Sequence, residues 1–256
     1  MAPYVRRDLQ HVEDASQRPT DAEYDRYLWL VETIKRMGCD EEAIYESHPF
    51  LVKDVLFSSI LVGANEALLE IAGAPEEECV EIEGWLQRGL QGLDELWDPT
   101  FGLYLDYDIR GKQPLKTLTV AGFAPLIAGH LSHGRFDDLL ATLDSPMFMG
   151  NPDLRWSLPP STSPEDPGFH PKSYWRGPTW PVFNWLLSWS LTRTGEVERA
   201  GHLRQESLTQ LADGGFGEYF DPFTGHSLGS VDQSWTAAVA LDWLASGTQA
   251  EAREAA

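Results

Sequence analysis

"PFLVKDVLFSSILVGANEALLEIAG", Pro49 to Gly73, decides the kind of fold to expect. Leu51, Val55, Leu56, Ile60, Leu61, Leu68 and Ile71 cover much of a helical circumference instead of one stripe, so the spacing predicts an inner helix buried on more than one side. Its neighbours read differently. In "RPTDAEYDRYLWLVETIKRMG", Thr20 and Glu23 have capping-box spacing, and Tyr24, Tyr27, Leu28, Val31 and Ile34 recur on one face before Gly38. After Gly73, Pro75 and the acidic turn Glu76-Glu77-Glu78 open a helix that runs to Trp97 with a wider polar face, as an outer helix would have. Apolar and half-polar helices therefore alternate, which suggests stacked helical hairpins in an all-α fold.

The same periodicity predicts helices at Thr119–Gly129, His133–Leu143, Pro178–Thr194, Glu196–Ala212 and Ser230–Ala245, the last with Val231, Trp235, Val239 and Trp243 four residues apart. That makes about eight helices and almost no strand. Met147 to Pro178 has seven prolines and no period, too long for an ordinary connection, and reads as a functional loop or lid. No short repeat of fixed length is present, which argues against a regular solenoid.

Composition narrows the function. The chain has 256 residues, 42% of them hydrophobic, which suits one large core. A formal net charge of −21 repels a phosphate backbone, and Arg6-Arg7 is the densest basic cluster, so nucleic acid is excluded as a partner. Cys39 and Cys79 have no CxxC or His-rich surroundings, which predicts reduced thiols and no metal site or cofactor. The N-terminus is charged throughout and no run of about 18 apolar residues follows, so no membrane association is expected and the reading is cytoplasmic.

Two late stretches carry chemistry. "GGFGEYFDPFTGHSLGS", Gly214 to Ser230, sets Glu218 among glycines and the rings of Phe216, Tyr219 and Phe220. A carboxylate so placed is either a catalytic group or a solvated turn residue. "PKSYWRGPTWPVFNWLL", Pro171 to Leu187, contains three of the five tryptophans found between Trp156 and Trp189. Trp185 and Trp189 fit a helix's core stripe. Trp175 and Trp180 flank the helix entrance beside the loop, where aromatic faces suit a sugar ring.

"SYWRGPTWPVFNWLL" and "GFGEYFDPFTGHSLG…DQSWTAA" resemble the C-terminal signatures of the glycoside hydrolase family of mannosylglycerate and glucosylglycerate hydrolases, with processing α-glucosidases and trehalases more distant; "RRDLQHV…RPTDAEYDRYLWLV" extends the match over most of the chain. The resemblance implies an (α/α)6 barrel, inverting catalysis and, at Glu218, the general base. It implies a sugar subsite at Tyr174, Trp175 and Trp180, a Gln-x-Trp pattern of glycerate-releasing members at Gln233 and Trp235, and active-site positions for Arg18 and Tyr24. A glycerate carboxylate needs a cation, for which Arg176, Arg155 and Arg18 are candidates.

The family's general acid is an Asp upstream of the matched segment, and twelve helices make a full barrel. Residues 1–256 are therefore expected to form the C-terminal portion of the catalytic domain, lacking the acid and inclined to self-associate through the Leu51–Ile71 seam. Asp106 and Asp108 read as turn or structural residues. The alternative is a catalytically silent sugar-binding or subunit protein, or an α-glucosidase- or trehalase-like enzyme acting on oligosaccharides.

Overall fold

The computed structural model describes residues 4–12, 14–71 and 75–254. Eight α-helices occur among them: α1 (Asp21–Arg36), α2 (Glu41–Ser47), α3 (Val55–Glu70), α4 (Glu76–Asp94), α5 (His133–Leu143), α6 (Pro181–Arg193), α7 (Val197–Gly214) and α8 (Ser234–Glu254). Short strands fill the connections: β1 (Val52–Lys53), β2 (Trp97–Asp98), β3 (Leu103–Tyr104), β4 (Tyr107–Asp108), β5 (Gln113–Pro114), β6 (Tyr219–Phe220) and β7 (Ser227–Leu228). They pair antiparallel as β1-β4-β5, β2-β3 and β6-β7.

The hairpins α3–α4 and α6–α7 pack on either side of a buried 3-10 segment, Val120–Ile127. Phe123 and Leu126 at its centre are fully buried, with Phe148 edge-on to Phe123 at 4.8 Å. This segment stands where an ordinary helix was expected. Pro125 lacks the N–H that an α-turn would use, and Gly122 lies so close to strand β3 that a Cβ would meet the Tyr104 carbonyl oxygen at 2.6 Å.

The inner helix begins later than the periodicity suggested, because Asp54 caps it, its carboxylate accepting from Phe57 N at 2.6 Å, while Val52–Lys53 is held in β1. Its residues beyond Ile71 lie outside the described ones. Nor is it buried all round. Val55, Val62, Ser59 and Asn65 face α4 and the core, whereas Phe57, Ile60, Leu61, Leu68 and Ile71 are exposed, Phe57 by 72%. The α1 helix has the expected capping box, with Thr20 and Glu23 bonded reciprocally, yet buries none of its residues. A large core, a smaller cluster under α8 and open apolar faces on α1 and α3 are the result.

Two further expectations are corrected. Trp185 is half-buried against the cluster of Leu211, Phe220 and Trp243, its indole N–H bonded to Asp242, so its core reading holds in part, whereas Trp189 is exposed beneath Arg193; the buried stripe of α6 is Phe183, Leu187 and Leu191. On α8, Val239 and Trp243 pack against Leu211 and Phe220, but Val231 precedes the helix and is exposed.

Residues 147–178 are irregular, as the prolines dictate; their first half is core and not a lid, while His170 and Ser173 to Arg176 reach the cavities beside Arg18. Trp156 and Leu158 to Ser163 are buried, and their backbone is satisfied laterally: Val120 N donates to Ser161 O at 3.0 Å, Ser163 N to Leu118 O at 2.8 Å, and Ser161 N to Pro178 O at 3.0 Å. Extended backbone can be buried where such partners exist. Asp106 and Asp108 are structural, as read: they accept from Val55 N and Arg110 N. Burial, with Asp54 nearby, raises the Asp106 carboxyl above its ordinary value against the pull of the Val55 N–H.

Candidate active site

The extended backbone carries the site. Thr179, one residue before Trp180, exchanges both backbone hydrogen bonds with Phe220, at 2.9 and 3.0 Å, so the aromatic motif and the β6-β7 hairpin are stitched together. Trp180 then stacks on Tyr219, ring centroids 4.7 Å apart at 28°. At the mouth of the hairpin Glu218 N donates to Ser230 O at 2.9 Å. A third segment closes on it: the turn Ala15–Gln17, capped by Asp14, delivers Gln17 and Arg18 from 200 residues away.

Glu218 is 6% exposed, which removes the solvated-turn reading. Its Oε2 accepts from Arg18 Nη2 at 2.7 Å and from Ser230 N at 3.0 Å, while no described residue bonds to Oε1. Two donors on one oxygen, one of them cationic, are the partners of an ionised carboxylate. The backbone must approach closely to make them. Gly229 has φ +74°, and a Cβ there would lie 2.6 Å from Glu218 Oε2. Only glycine fits that position.

Arg18 is held between rings, its guanidinium carbon 4.7 Å from the Tyr174 centroid and 5.8 Å from that of Tyr219. Burial opposes its charge, but the Glu218 hydrogen bond and the fields of Tyr219, Glu218 and Tyr174 outweigh it, so it stays a cation. Burial pushes the Tyr219 phenol well up, and it remains a donor, to Gln17 O at 3.0 Å.

The aromatic cluster is layered. Trp175 lies flat on Trp180, centroids 3.9 Å apart and 3° from parallel, with Tyr174 edge-on to both. Trp180 is 1% exposed and donates its indole N–H to Tyr174 O, so it is the support, and Trp175, 39% exposed, is the member of the pair with an open face. Tyr174 itself has φ +36°, a conformation that bulky residues adopt at a cost and that concentrates at functional sites. Trp235 reaches Trp180 edge-on at 6.3 Å, and Gln233, anchored by its N–H to Phe216 O, is half-buried at the start of α8.

Two cavities, of about 750 and 400 Å³, meet along Arg18, Pro19, Glu23, Ser173 and Arg176. Tyr24, Tyr174 and Trp175 line the smaller; Arg6, Arg26 and His170 add to the larger. Glu218 lines neither and sits behind Arg18. Arg176 is tied to Glu23 Oε1 at 2.7 Å, and Tyr24 stacks on Tyr4 under Arg6. Arg155 is not part of the site: it pairs with Asp213 over the Trp156 ring and lines neither cavity. Gln17 escaped the sequence reading, because nothing local marks a residue whose partners are more than 200 positions away. Among the described residues no group of three or more His, Cys, Asp or Glu side chains is placed to hold a metal ion, and no helix is long and apolar enough to cross a membrane.

The profile of the mannosylglycerate hydrolase MGH1-like glycoside hydrolase domain matches residues 2–236. The chain is 47% identical over 244 residues to the glucosylglycerate hydrolase of Mycolicibacterium hassiacum, covering 94% of this chain and 55% of that protein. To the mannosylglycerate hydrolase of Thermus thermophilus it is 38% identical, covering 95% and 57%. The crystal structure of the GH63 mannosylglycerate hydrolase from another strain of Thermus thermophilus, in complex with Tris and D-glycerate, superposes with a TM-score of 0.87 at 38% identity, over 95% of this chain and 58% of that one. This chain belongs to the MGH1-like glycoside hydrolase family, and its all-α fold is a partial (α/α)6 barrel. It spans about half the length of the curated relatives it matches.

Proposed function

We propose that residues 1–256 are the base-bearing portion of an inverting α-glycosidase catalytic domain whose substrate is a small glycosyl-glycerate. The observation that carries this reading is the buried Glu218, with one oxygen bonded by two donors and the other unclaimed by any described residue. In this reading Oε1 takes a proton from a water as that water's oxygen attacks the anomeric carbon. The carbon–oxygen bond to glycerate breaks on the opposite face, and the departing oxygen is protonated by the second carboxyl group. The resemblance assigns that acid to an Asp from the part of the relatives that this chain does not span.

Trp175 is the sugar platform, with Tyr174 at its edge and Trp180 beneath it; Gln233 and Trp235 line neither cavity and are assigned to the site by the resemblance. Arg18 and Arg176, which line one cavity with Tyr24, are the cations within reach of a glycerate carboxylate. Mannose and glucose, which differ at one hydroxyl, are both within this reading. Two free cysteines accord with a cytoplasmic location, and the open faces of α1 and α3 with self-association.

An α-glycosyl fluoride tests the proposal, since fluoride departs with little protonation and asks only for the platform and the base. Slow turnover by this chain that disappears in Glu218→Gln supports it. Equal turnover by the two proteins overturns it, and sugar binding without turnover by either points to a silent sugar-binding protein.

A further inference from the structure

Gln17 is 6% exposed and bonds to both arms of the hairpin that presents Glu218. Its backbone carbonyl accepts from Tyr219 Oη at 3.0 Å, and its side-chain Oε1 accepts from Gly229 N at 2.8 Å. Tyr219 follows Glu218 directly. Gly229 precedes Ser230, whose N–H is bonded to Glu218 Oε2. Consecutive N–H groups at 229 and 230 thus point to Gln17 Oε1 and to Glu218 Oε2. The positive φ at Gly229 and the absence of a Cβ let this peptide lie against the carboxylate. The next residue, Arg18, supplies the other bond to the same oxygen.

From this geometry we infer that Gln17 is a positioning residue: it fixes the Gly229–Ser230 peptide and Tyr219, and through them sets the direction in which Glu218 faces. The inference rests on the reading of Glu218 as the base. A buried glutamine that merely filled space would not need its main-chain and side-chain oxygens on the two strands flanking one carboxylate. The turn that holds it is itself fixed, Asp14 accepting from Ser16 N and Ser16 Oγ at 2.9 and 2.7 Å.

Gln17→Met keeps length and volume but has no acceptor, and Gln17→Glu keeps the acceptor. Amide hydrogen exchange at Gly229 and Ser230, followed in this chain by NMR, reads the clip directly and does not depend on catalysis. Exchange at both amides is expected to speed up at least tenfold in Gln17→Met and to return toward the parent rate in Gln17→Glu. Turnover of the α-glycosyl fluoride is expected to lose at least tenfold in kcat in Gln17→Met, with KM within about twofold. Unchanged exchange in a folded Gln17→Met, or a kcat that falls only with the folded fraction, overturns the inference. If Gln17→Met does not fold, Tyr219→Phe opens the other half of the clip and must speed the same two amides; parent-like exchange there overturns the inference equally. Should Glu218→Gln retain full turnover, the base assignment fails, while the exchange rates still report whether Gln17 holds the peptide.

Discussion

Replacing Arg18 by methionine removes the one cation hydrogen-bonded to Glu218 among the described residues and leaves the carboxylate where it was. The two side chains are 9% and 7% exposed and 2.7 Å apart, so the pair is shielded from the solvent that makes surface ion pairs weak. Breaking a buried pair from one side costs roughly 3–5 kcal/mol, because the remaining charge is uncompensated. Glu218 keeps the Ser230 N–H on the same oxygen, which puts the expected loss near the lower end, about 3 kcal/mol. In a chain of this size that is a fall in Tm of about 6–12 °C. Methionine keeps a side chain of similar reach but loses the guanidinium over Tyr174, so the loss combines the ion pair with that cation–π contact. The double variant Arg18→Met/Glu218→Gln leaves no unpaired charge at this pair and is expected to recover about 2 kcal/mol of the loss. Urea unfolding of the parent, Arg18→Met, Glu218→Gln and the double variant at pH 7 measures both quantities. A single variant within about 1 kcal/mol of the parent, or a double variant no more stable than Arg18→Met, refutes the reasoning.

Trp175→Ala is expected to weaken sugar binding, measured by titration calorimetry, with little loss of stability. Trp180→Ala is expected to cost about 3–5 kcal/mol, because it removes the buried support, and the half-buried Trp185→Ala less. For Asp106, whose carboxyl is raised by burial, the folded state holds the proton more tightly than the unfolded chain does. Its contribution to stability is therefore lost as pH climbs from the ordinary 3.8 through the raised folded value. Asp106→Asn, which keeps an acceptor for Val55 N, is expected to match the parent's urea midpoint at low pH and exceed it above that window; curves that stay parallel count against the assignment. The exposed apolar faces of α1 and α3, with the cavity of about 620 Å³ between α3 and α4, predict a species larger than the 28.7 kDa monomer in sedimentation and binding of a hydrophobic dye. A compact monomer that binds no dye contradicts that.

Where local chemistry decides, the sequence was legible. Thr20 and Glu23 cap α1 as their spacing said, and α5 begins at His133 and ends at Leu143. The α2 helix, EEAIYES, is too short to show a period and was missed. The 3-10 turn at Val120–Ile127 and the late start of α3 were set by Pro125, Gly122 and Asp54, local signals that the apolar pattern overrode in the reading. The proline-rich stretch was legible as irregular and not as buried, because its backbone partners at Leu118, Val120 and Pro178 come from other parts of the chain. The site divides the same way. Glu218 could be singled out among its glycines, and the Tyr-Trp-Arg-Gly-Pro-x-Trp stretch as aromatic. The order of the tryptophans in depth, the displacement of Arg155 and the part played by Gln17 all depend on contacts between segments distant in sequence.

The central claim is that Glu218 acts as a base toward water on the face opposite the leaving group, and the anomer first released from an α-glycosyl fluoride tests it most directly. Proton NMR during the first minutes, before mutarotation mixes the anomers, is expected to record the β-sugar from the parent chain and no release above background from Glu218→Gln. The α-sugar as first product, or β-sugar released at the same rate by Glu218→Gln, would contradict it.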